Sequence, residues 1–313
     1  MELTVRPEAH LDFGMTAGLA NEAFGAIGSA FTPERMEWLY RRAFSHGTLV
    51  LGLFAGARKV GQVGLLGQML QVGGHAEPAV ALVDLFIHPQ FRSRDAIASL
   101  YGRAEAVCRE RSIRFLVAVP NGKAVGINQK FLGLDTAATL QFRAGMALPF
   151  ASRRVRLSSF VETLYRDPAT LLLDRFAQDG SGALRWTGSA LWERMQDPAA
   201  RFALHATQDL LLVTTVRTQH HVPAVLHCAL LPAAGATVEP ADVRAVTAAA
   251  ARLHGRPFFV YVGLNDRVPL PGWPVPERFR PSLMIVQGRD LQPGGTAPGF
   301  GLKRFELLDF DFS

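Results

Sequence analysis

The sequence predicts an α/β fold with mixed sheets, arranged as two domains that follow one another along the chain. Three observations predict it. Residues 79–119 show the strand, helix, strand spacing of a βαβ unit, whose two strands lie parallel. A hairpin over residues 48–70 precedes this unit and adds antiparallel strands. The second half repeats the order more weakly, and 313 residues suit two domains or one large α/β unit.

The first 44 residues predict one strand and two helices. Residues 3–6 alternate as a short strand, and residues 15–30 carry the Ala/Leu/Phe spacing of a helix. Thr32 and Pro33 indicate where a second helix begins, because Thr can cap a helix and Pro suits its first turn. The apolar residues that follow, as far as Phe44, fall on one side of this helix.

The next segment predicts three strands. Residues 48–55 and 60–70 form the hairpin around a turn at residues 56–59. Residues 79–87 are an apolar run that only Asp84 interrupts, which is typical of a strand buried on both faces. A lone carboxylate in such a strand is a candidate for chemistry.

The βαβ unit is completed by the segment that follows. Residues 95–111 have a helical apolar stripe, and residues 113–119 form the second strand of the unit. A further helix spans residues 124–132 and ends at Gly133, the residue type that favours a helix C-terminus.

The second half resembles the first at an offset of about 150–160 residues. It contains a hairpin over residues 210–216 and 224–231, a helix over 241–254 after an acidic cap, and a strand over 257–262. A further strand is predicted at residues 282–286.

A change in the apolar pattern near residues 150–165 separates the two halves. We therefore expect one domain over residues 1–155 and a second over residues 156–313.

Composition excludes several classes of protein. With 49% hydrophobic and 19% charged residues, the chain is not intrinsically disordered. Its longest apolar stretches are much shorter than the ~20 residues that cross a bilayer, so no membrane partner is expected. The N-terminus lacks the order of a secretory signal, and we expect a cytoplasmic protein.

The net charge of +6 is spread over scattered arginines without a basic stripe, so we expect no nucleic-acid partner. A mildly basic protein would favour an anionic substrate, although the inference from net charge is weak. Cys108 and Cys228 lack the spacing of a zinc site, and the adjacent His220 and His221 would point to opposite faces of a strand. We therefore expect buried free thiols and no metal.

Residues 85–100 carry the most informative pattern. They are a buried strand, a turn and a helix whose start bears Arg92 and Arg94. Free backbone N–H groups at a helix N-terminus, together with two guanidinium groups, form an anion site that suits a pyrophosphate. The alternative is an ordinary turn with solvated arginines.

This stretch resembles the signature of the GNAT (GCN5-related N-acetyltransferase) family. In that signature, a strand is followed by the motif V-x-P-x-[FY]-R-G-[KR]-G-[IV]-G, a helix and a second strand. An Asn then begins a further helix, which ends at Gly-Phe. The matching residues are Ile87, Pro89, Phe91, Arg92, Arg94, Leu100, Asn121, Gly133 and Leu134. The resemblance covers roughly residues 3 to 150, and the second half looks like a degenerate GNAT-like domain without the phosphate turn.

The resemblance implies two tandem GNAT-like domains with the acyl-CoA N-acyltransferase fold. It also implies acetyl-CoA, or another acyl-CoA, as co-substrate, and direct acyl transfer to an amine of a small molecule held between the domains. The implied cofactor-binding residues are Phe86, Ile87, Arg92, Ser93, Arg94, Asp95, Ala96, Ile97, Ala98 and Asn121.

The chain departs from the family pattern at two places. Asp95 and Ile97 stand where the phosphate loop has glycines, and residues 128–130 lack the Tyr that often protonates the thiolate. The alternative is therefore a catalytically inactive binding or assembly protein. The sequence also leaves open whether the chain forms a homodimer.

Two residues are candidate catalytic bases. Asp84 lies in an apolar strand where burial would raise its pKa toward a useful range, although it could instead cap or pair with an arginine. His88 could serve in its place, although a His at a strand end before Pro89 also suits a solvent-facing position.

Overall fold

A computed structural model describes residues 2–25, 31–44, 46–177, 180, 182–219, 222–280, 284–292 and 301–311. Over these residues the chain forms two mixed sheets, one of seven strands and one of eight. The predicted α/β class with mixed sheets is confirmed.

The first half supplies seven strands and four helices within the described residues. They are β1 (Leu3–Pro7), α1 (Phe13–Phe24), α2 (Pro33–Arg41), β2 (Thr48–Ala55), β3 (Arg58–Val72), β4 (His75–Ile87), α3 (Arg94–Glu110), β5 (Phe115–Ala118), α4 (Ala124–Leu132), β6 (Asp135–Thr139) and β7 (Gln141–Met146). The first predicted helix is shorter than expected, because the chain leaves α1 at Gly25 with a φ of 67°. Residues 26–30 lie outside the described part.

The second half adds eight strands and three helices to the described structure. They are β8 (Leu157–Phe160), α5 (Arg166–Ala177), α6 (Gly188–Arg194), β9 (Ala203–Ala206), β10 (Leu210–Gln219), β11 (Val222–Pro232), α7 (Pro240–His254), β12 (Phe258–Asn265), β13 (Trp273–Pro274), β14 (Ile285–Asp290) and β15 (Arg304–Glu306). The strand predicted at residues 282–286 is β14, shifted toward the C-terminus. Its predicted positions 282 and 283 are not among the described residues.

Local capping explains why several helix ends follow the sequence closely. Thr32 caps α2 by accepting a hydrogen bond from the Arg35 backbone N–H, with Pro33 in the first turn. Gly133 ends α4 in the left-handed conformation, which costs glycine little. Glu239 and Asp242 form a capping box at the start of α7.

The two sheets have the same strand order, which is the structural form of the predicted duplication. The first runs β1-β2-β3-β4-β5-β14-β6, and the second, read in the same sense, runs β8-β9-β10-β11-β12-β7-β13. Each described sheet contains one parallel neighbouring pair, β4 with β5 and β11 with β12, and the connecting helices are α3 and α7.

Two strands are exchanged between the halves. β7 pairs with β12 in the second sheet, and β14 lies between β5 and β6 in the first. The division into residues 1–155 and 156–313 stays a prediction. β7, from before residue 155, belongs to the second sheet, and β14, from after it, belongs to the first.

One hydrophobic core contains residues from both sheets, together with residues of α1, α2, α5 and α6. Two further cores lie under α3 on the first sheet and under α7 on the second. Cys108 and Cys228 are buried free thiols, as expected. Within the described chain, no helix is long and apolar enough to cross a membrane.

Candidate functional site

A cavity opens where the parallel strands β4 and β5 separate. Their ladder ends at the pair Leu82–Ala118, and beyond it β4 continues to Ile87 while β5 gives way to a turn. The cavity has a volume of about 340 Å³ and is lined by both diverging strands, α1, α4 and the C-terminal segment. Strand edges that have lost their neighbour can bond an extended ligand, so this crevice is the candidate site.

A bulge in β4 directs a carboxylate into this cavity. On β3, Gly64 pairs with Val83 and Gln62 pairs with Phe86, so that Val63 stands opposite two residues of β4. The first of these two is Asp84, whose φ of 50° lies in the left-handed region that Asp tolerates better than most residues. The candidate base predicted from the sequence therefore lines the cavity.

The environment of Asp84 sets its proton affinity. Burial is the main cause that raises the pKa of this carboxyl to about 6, and the charge of Asp311 raises it further. The Tyr40 hydroxyl, which donates to Asp84 Oδ2 at 2.6 Å, and the charge of Arg35 act in the opposite direction. A carboxyl with this pKa is ionised at neutral pH and can still take up a proton.

A chain of hydrogen bonds determines the direction in which Tyr40 donates. The Lys59 ammonium can only donate, and it bonds Gln62 Oε1 at 2.6 Å. The Gln62 amide nitrogen then donates to the Tyr40 oxygen at 2.7 Å. The single proton of Tyr40 is left for Asp84. Glu8, 2.7 Å from Lys59, neutralises the ammonium at the far end.

The C-terminal segment brings a second carboxylate to the cavity. Asp311 lines it and bonds Arg35 at 2.6 Å, and Arg35 also lies 3.6 Å from Asp197. Asp311 and Asp197 raise the pKa of Arg35 against the effect of its burial, so this guanidinium stays charged. Residues separated by more than 270 positions thus form one charged group beside Asp84.

Buried donors fix the backbone of this segment. Arg194 of α6 donates to the carbonyl oxygens of Leu308 at 3.1 Å and Phe310 at 2.6 Å. Gln68 donates to the Asp309 carbonyl, and Trp186 donates to its carboxylate at 2.8 Å. The position of Asp311 is therefore set by contacts with β3, with α6 and with the segment just before α6.

The opposite wall carries a phenol and a linked amide. Tyr101 of α3 donates to Asn128 Oδ1 at 2.6 Å, and the Asn128 amide donates to Gln287 of β14 at 3.0 Å. Burial raises the pKa of Tyr101. Asn121, predicted to bind cofactor, also lines the cavity, where its side-chain oxygen accepts from the Lys123 and Ala124 N–H groups at the start of α4.

The predicted phosphate loop lies outside the described lining of the cavity. Ser93 caps α3 by accepting from the Ala96 N–H, and Ile97 donates to the Ser93 carbonyl. Arg92 donates to the carbonyl oxygens of Ile87 and Ala23, which joins the end of β4 to α1. Arg94 and Asp95 are exposed in the first turn of α3.

The remaining predicted residues are distributed around the turn. The side chains of Phe86 and Ile87 are buried in different hydrophobic cores, so that their backbone is the part that could face a ligand. Ala96 is buried under α3, whereas Ile97 and Ala98 are half-buried. His88 Nδ1 accepts from the Gln90 N–H, and its Nε2 lies 3.5 Å from Glu22. His88 is absent from the described cavity lining.

The equivalent crevice of the second sheet is filled. β11 and β12 also separate, but β15 pairs with the diverging end of β12 from Gly263 to Asn265. Glu306 accepts from the Leu230 N–H, and Asn265 donates to the Leu230 carbonyl at 2.8 Å. These contacts use backbone groups that a ligand would need, which explains why the second half presents no cofactor crevice there.

The expectation that the chain has no metal site can be compared with the described residues alone. The described residues contain no group of three or more metal-ligating side chains. His220 and His221 lie outside the described residues.

Sequence reasoning found Asp84 and Asn121 but missed Arg35, Tyr40, Tyr101 and Asp311. Tyr40 and Arg35 belong to an amphipathic helix, where they are indistinguishable from residues that only pack. Asp311 follows an apolar stretch near the end of the chain, and no spacing connects it with Asp84.

Comparison with known proteins finds no matching family model and no match among curated proteins. Solved structures do match. A GCN5-related N-acetyltransferase from Anabaena variabilis superposes with a TM-score of 0.63 at 11% identity, covering 92% of this chain and 73% of that one. Eis1 from Mycobacterium abscessus gives 0.59 at 13% identity, with coverage of 93% and 74%.

A tandem GNAT protein from the clavulanic acid biosynthesis pathway gives a TM-score of 0.58 at 11% identity, covering 93% of this chain and 99% of that one. The chain therefore has the GNAT acyl-CoA N-acyltransferase fold in its tandem form, as the sequence resemblance implied. At these identities the likeness establishes the fold, and activity has to be argued from the site.

Proposed function

We propose that this tandem GNAT-fold chain is an acyl-CoA-dependent N-acyltransferase. Acetyl-CoA is the donor, and an amine of a small molecule is the acceptor. The observation that supports the proposal is the open crevice between β4 and β5 with the half-buried carboxylate of Asp84 at its wall. In the second sheet, β15 fills the equivalent crevice, which supports a single such site within the described residues.

The shape of the crevice and the turn before α3 indicate where acetyl-CoA would bind. The edges of β4 and β5 beyond the pair Leu82–Ala118 suit an extended pantetheine arm, which carries amide groups of its own. The first turn of α3 and the exposed Arg94 would contact the pyrophosphate. When bound, acetyl-CoA supplies a thioester whose acyl carbon forms a bond to nitrogen as its C–S bond breaks.

Asp84 prepares the acceptor by taking its proton. An amine is protonated at neutral pH and has no lone pair available for attack. The Asp84 carboxylate removes one proton from the ammonium group, and the Tyr40 hydroxyl holds Oδ2 in place during this transfer. The low polarity of the crevice brings the pKa of the Asp84 carboxyl and the pKa of the amine closer together, because burial penalises both the carboxylate and the ammonium form.

Tyr101 is the proposed donor to the leaving sulfur. Its hydroxyl lies in the cavity wall opposite β4, and the family's usual Tyr in α4 is replaced. The sulfur keeps the electron pair of the broken C–S bond. It then takes up a proton to balance the second proton that the nitrogen loses, so the product is the free thiol of CoA. Tyr101 stabilises the developing thiolate by a hydrogen bond, which requires its hydroxyl to turn from Asn128.

A binding or assembly protein without catalysis is the second candidate. Arg92 is engaged by two backbone carbonyl groups, and Asp95 places a negative charge where the family binds phosphate. Both features weaken the electrostatic attraction for a pyrophosphate.

Calorimetric titration of the protein with acetyl-CoA and with free CoA, followed by an assay of thiol release with a panel of amines, tests the proposal. We expect binding of both compounds and amine-dependent thiol release. Asp84→Asn should keep the binding and lower kcat/KM about 100-fold or more, whereas the exposed Glu110→Gln should change neither. Absence of acyl-CoA binding at millimolar concentration would favour the second candidate.

A further inference from the structure

The charges on the cavity wall favour a cationic ligand. Among the described lining residues, the acidic and basic side chains are those of Asp84, Asp311 and Arg35. Arg35 is engaged by Asp311 at 2.6 Å and lies 3.6 Å from Asp197, so its charge is already balanced. The carboxylate of Asp84, whose proton affinity is raised by Asp311, is the group whose charge a bound cation would offset.

Apart from the polar side chains of Tyr101, Asn121 and Asn128, the rest of the wall is apolar. Phe24 and Phe31 stack with their ring centroids 5.4 Å apart, and Phe310 and Phe305 line the cavity from the C-terminal segment. Phe24 is 37% exposed, so part of its ring stays open to solvent at the cavity. A ring or alkyl chain placed against these side chains would remove apolar surface from water.

The size of the cavity limits the acceptor. A volume of about 340 Å³ lies at the lower end of the range for ligand sites, roughly 300–1,000 Å³. The same space must also hold the thioester end of the donor. An acceptor with a single ring and a short chain fits this remaining space better than an oligosaccharide or a peptide.

We propose that the acceptor is a small aralkylamine, a primary ammonium group on an aromatic skeleton that carries no carboxylate. Its ammonium group faces Asp84 and Asp311, and its ring packs against Phe24, Phe31 and Phe310. The inference rests on the proposed function and narrows its substrate class. It reverses the expectation that net charge suggested, because the charge of +6 belongs to the whole surface whereas the wall of the cavity is locally acidic.

The same wall discriminates against amino acids and other anionic amines. A substrate carboxylate would need a cationic partner, and Arg35, the cation among the described lining residues, is held by two carboxylates. Removing a substrate carboxylate from water without a partner is unfavourable. Phenylalanine should therefore be a much poorer acceptor than 2-phenylethylamine.

Four probes test the proposal through direct binding. Calorimetry of the full chain with 2-phenylethylamine, 2-phenylethanol, 3-phenylpropionate and glucosamine compares a cation, a neutral isostere, an anion and a polar amine. We expect 2-phenylethylamine to bind about tenfold or more tightly than the other three. Asp84→Asn, which removes the charge that the ammonium group would offset and keeps a side-chain oxygen to accept from the Tyr40 hydroxyl, should remove most of this preference. Asp266→Asn, an exposed matched control, should keep it.

Turnover separates the inference from the proposed function. With acetyl-CoA present, thiol release should be about tenfold or more faster with 2-phenylethylamine than with phenylalanine or glucosamine, judged by kcat/KM. If thiol release occurs but glucosamine or phenylalanine is preferred, the acceptor class is wrong and the acyltransferase stands. If acetyl-CoA does not bind, the four binding affinities alone decide the inference, and equal affinity for phenylethylamine and phenylethanol overturns it.

Discussion

Asp84 combines three properties that are rarely found in one carboxylate of a buried strand. It has a left-handed backbone conformation, it accepts a hydrogen bond from Tyr40, and burial raises its pKa to about 6. The left-handed conformation coincides with the bulge in β4, at a residue that lines the cavity.

The pKa of Asp84 predicts the acid limb of the pH profile. The base acts when it has lost its proton, so kcat/KM should fall tenfold per pH unit below an apparent pKa of about 6. Asp84→Asn should remove this limb together with most of the activity. The measurement is kcat/KM from pH 5 to 9, and an unchanged limb in the variant would assign it to another group.

Tyr40 predicts a shift of that limb. Its hydroxyl stabilises the charged form of Asp84, so Tyr40→Phe should raise the pKa of the carboxyl and move the limb to higher pH. At pH 6 we expect kcat/KM to fall roughly fivefold, and at pH 9 to stay close to the wild-type value. Tyr165→Phe, at an exposed position, is the matched control. A uniform loss at all pH values would contradict the predicted effect of Tyr40 on the pKa of Asp84.

At the scale of elements, the first turn of α3 is the part of the site that departs most from its family pattern. Asp95 favours the helix itself, because a carboxylate in the first turn interacts well with the helix dipole. The same charge opposes a phosphate placed there. Asp95 therefore stabilises the helix and weakens the anion site at its first turn.

These two effects of Asp95 predict the result of one substitution. Asp95→Asn should tighten acetyl-CoA binding roughly two- to fivefold and lower the stability of the free protein slightly. Calorimetric titration with acetyl-CoA measures the first effect, and urea unfolding measures the second. Glu110→Gln, at the other end of the same helix, should leave affinity unchanged. Unaltered affinity in both variants would place the pyrophosphate away from this turn.

The C-terminal segment is the second element that decides the site. β15 fills the crevice of the second sheet, and the residues after it carry Phe310 and Asp311 to the crevice of the first. Arg194 holds the connecting carbonyl groups and lies over the rings of Trp38 and Phe44. One segment thus closes one crevice and completes the other.

At the scale of the whole molecule, the described part of the second half fills its own crevice with β15 and supplies a wall of the cavity in the first half. Its core contains three histidines with lowered pKa values, about 3 for His205 and His227 and about 4 for His254, mainly because burial penalises the charged ring. His205 and His254 are both bonded to Thr214. His227 stacks on Phe259, and among the described residues neither of its ring nitrogens has a hydrogen-bond partner.

These histidines predict loss of stability in acid. The unfolded chain binds protons at about pH 6.5 and the folded chain only near 3 to 4, so the free energy of unfolding should fall as the pH decreases through this window. His227→Leu removes one such group and its unpaired nitrogens. It should stabilise the protein by about 1 kcal/mol at pH 7 and by more at pH 5.

Urea unfolding at pH 5, 6 and 7 measures both effects. His75→Leu, at an exposed position, is the control and should leave the pH dependence as it is. A variant with His227→Leu that is less stable than wild type at pH 7 would show that His227 has a polar partner in solution.

The sequence by itself determined most local elements and the central candidate residue. The ends of α2, α4 and α7 follow from Thr32, Gly133 and Glu239, because capping acts within one turn of the chain. The burial of Asp84 follows from the apolar run around it, and the duplication follows from the repeated order of elements. These are short-range signals or simple repeats, which a single sequence displays.

Only the tertiary structure decided how the two halves complete each other. The exchange of β7 and β14, the filling of one crevice by β15 and the approach of Asp311 to Asp84 all join segments far apart in the chain. No hydrophobic period encodes such pairings, because the edge of a strand is chosen by competition among all strands of the fold. The charge and shape of the candidate acceptor site therefore come from packing, whereas its base is visible in the sequence.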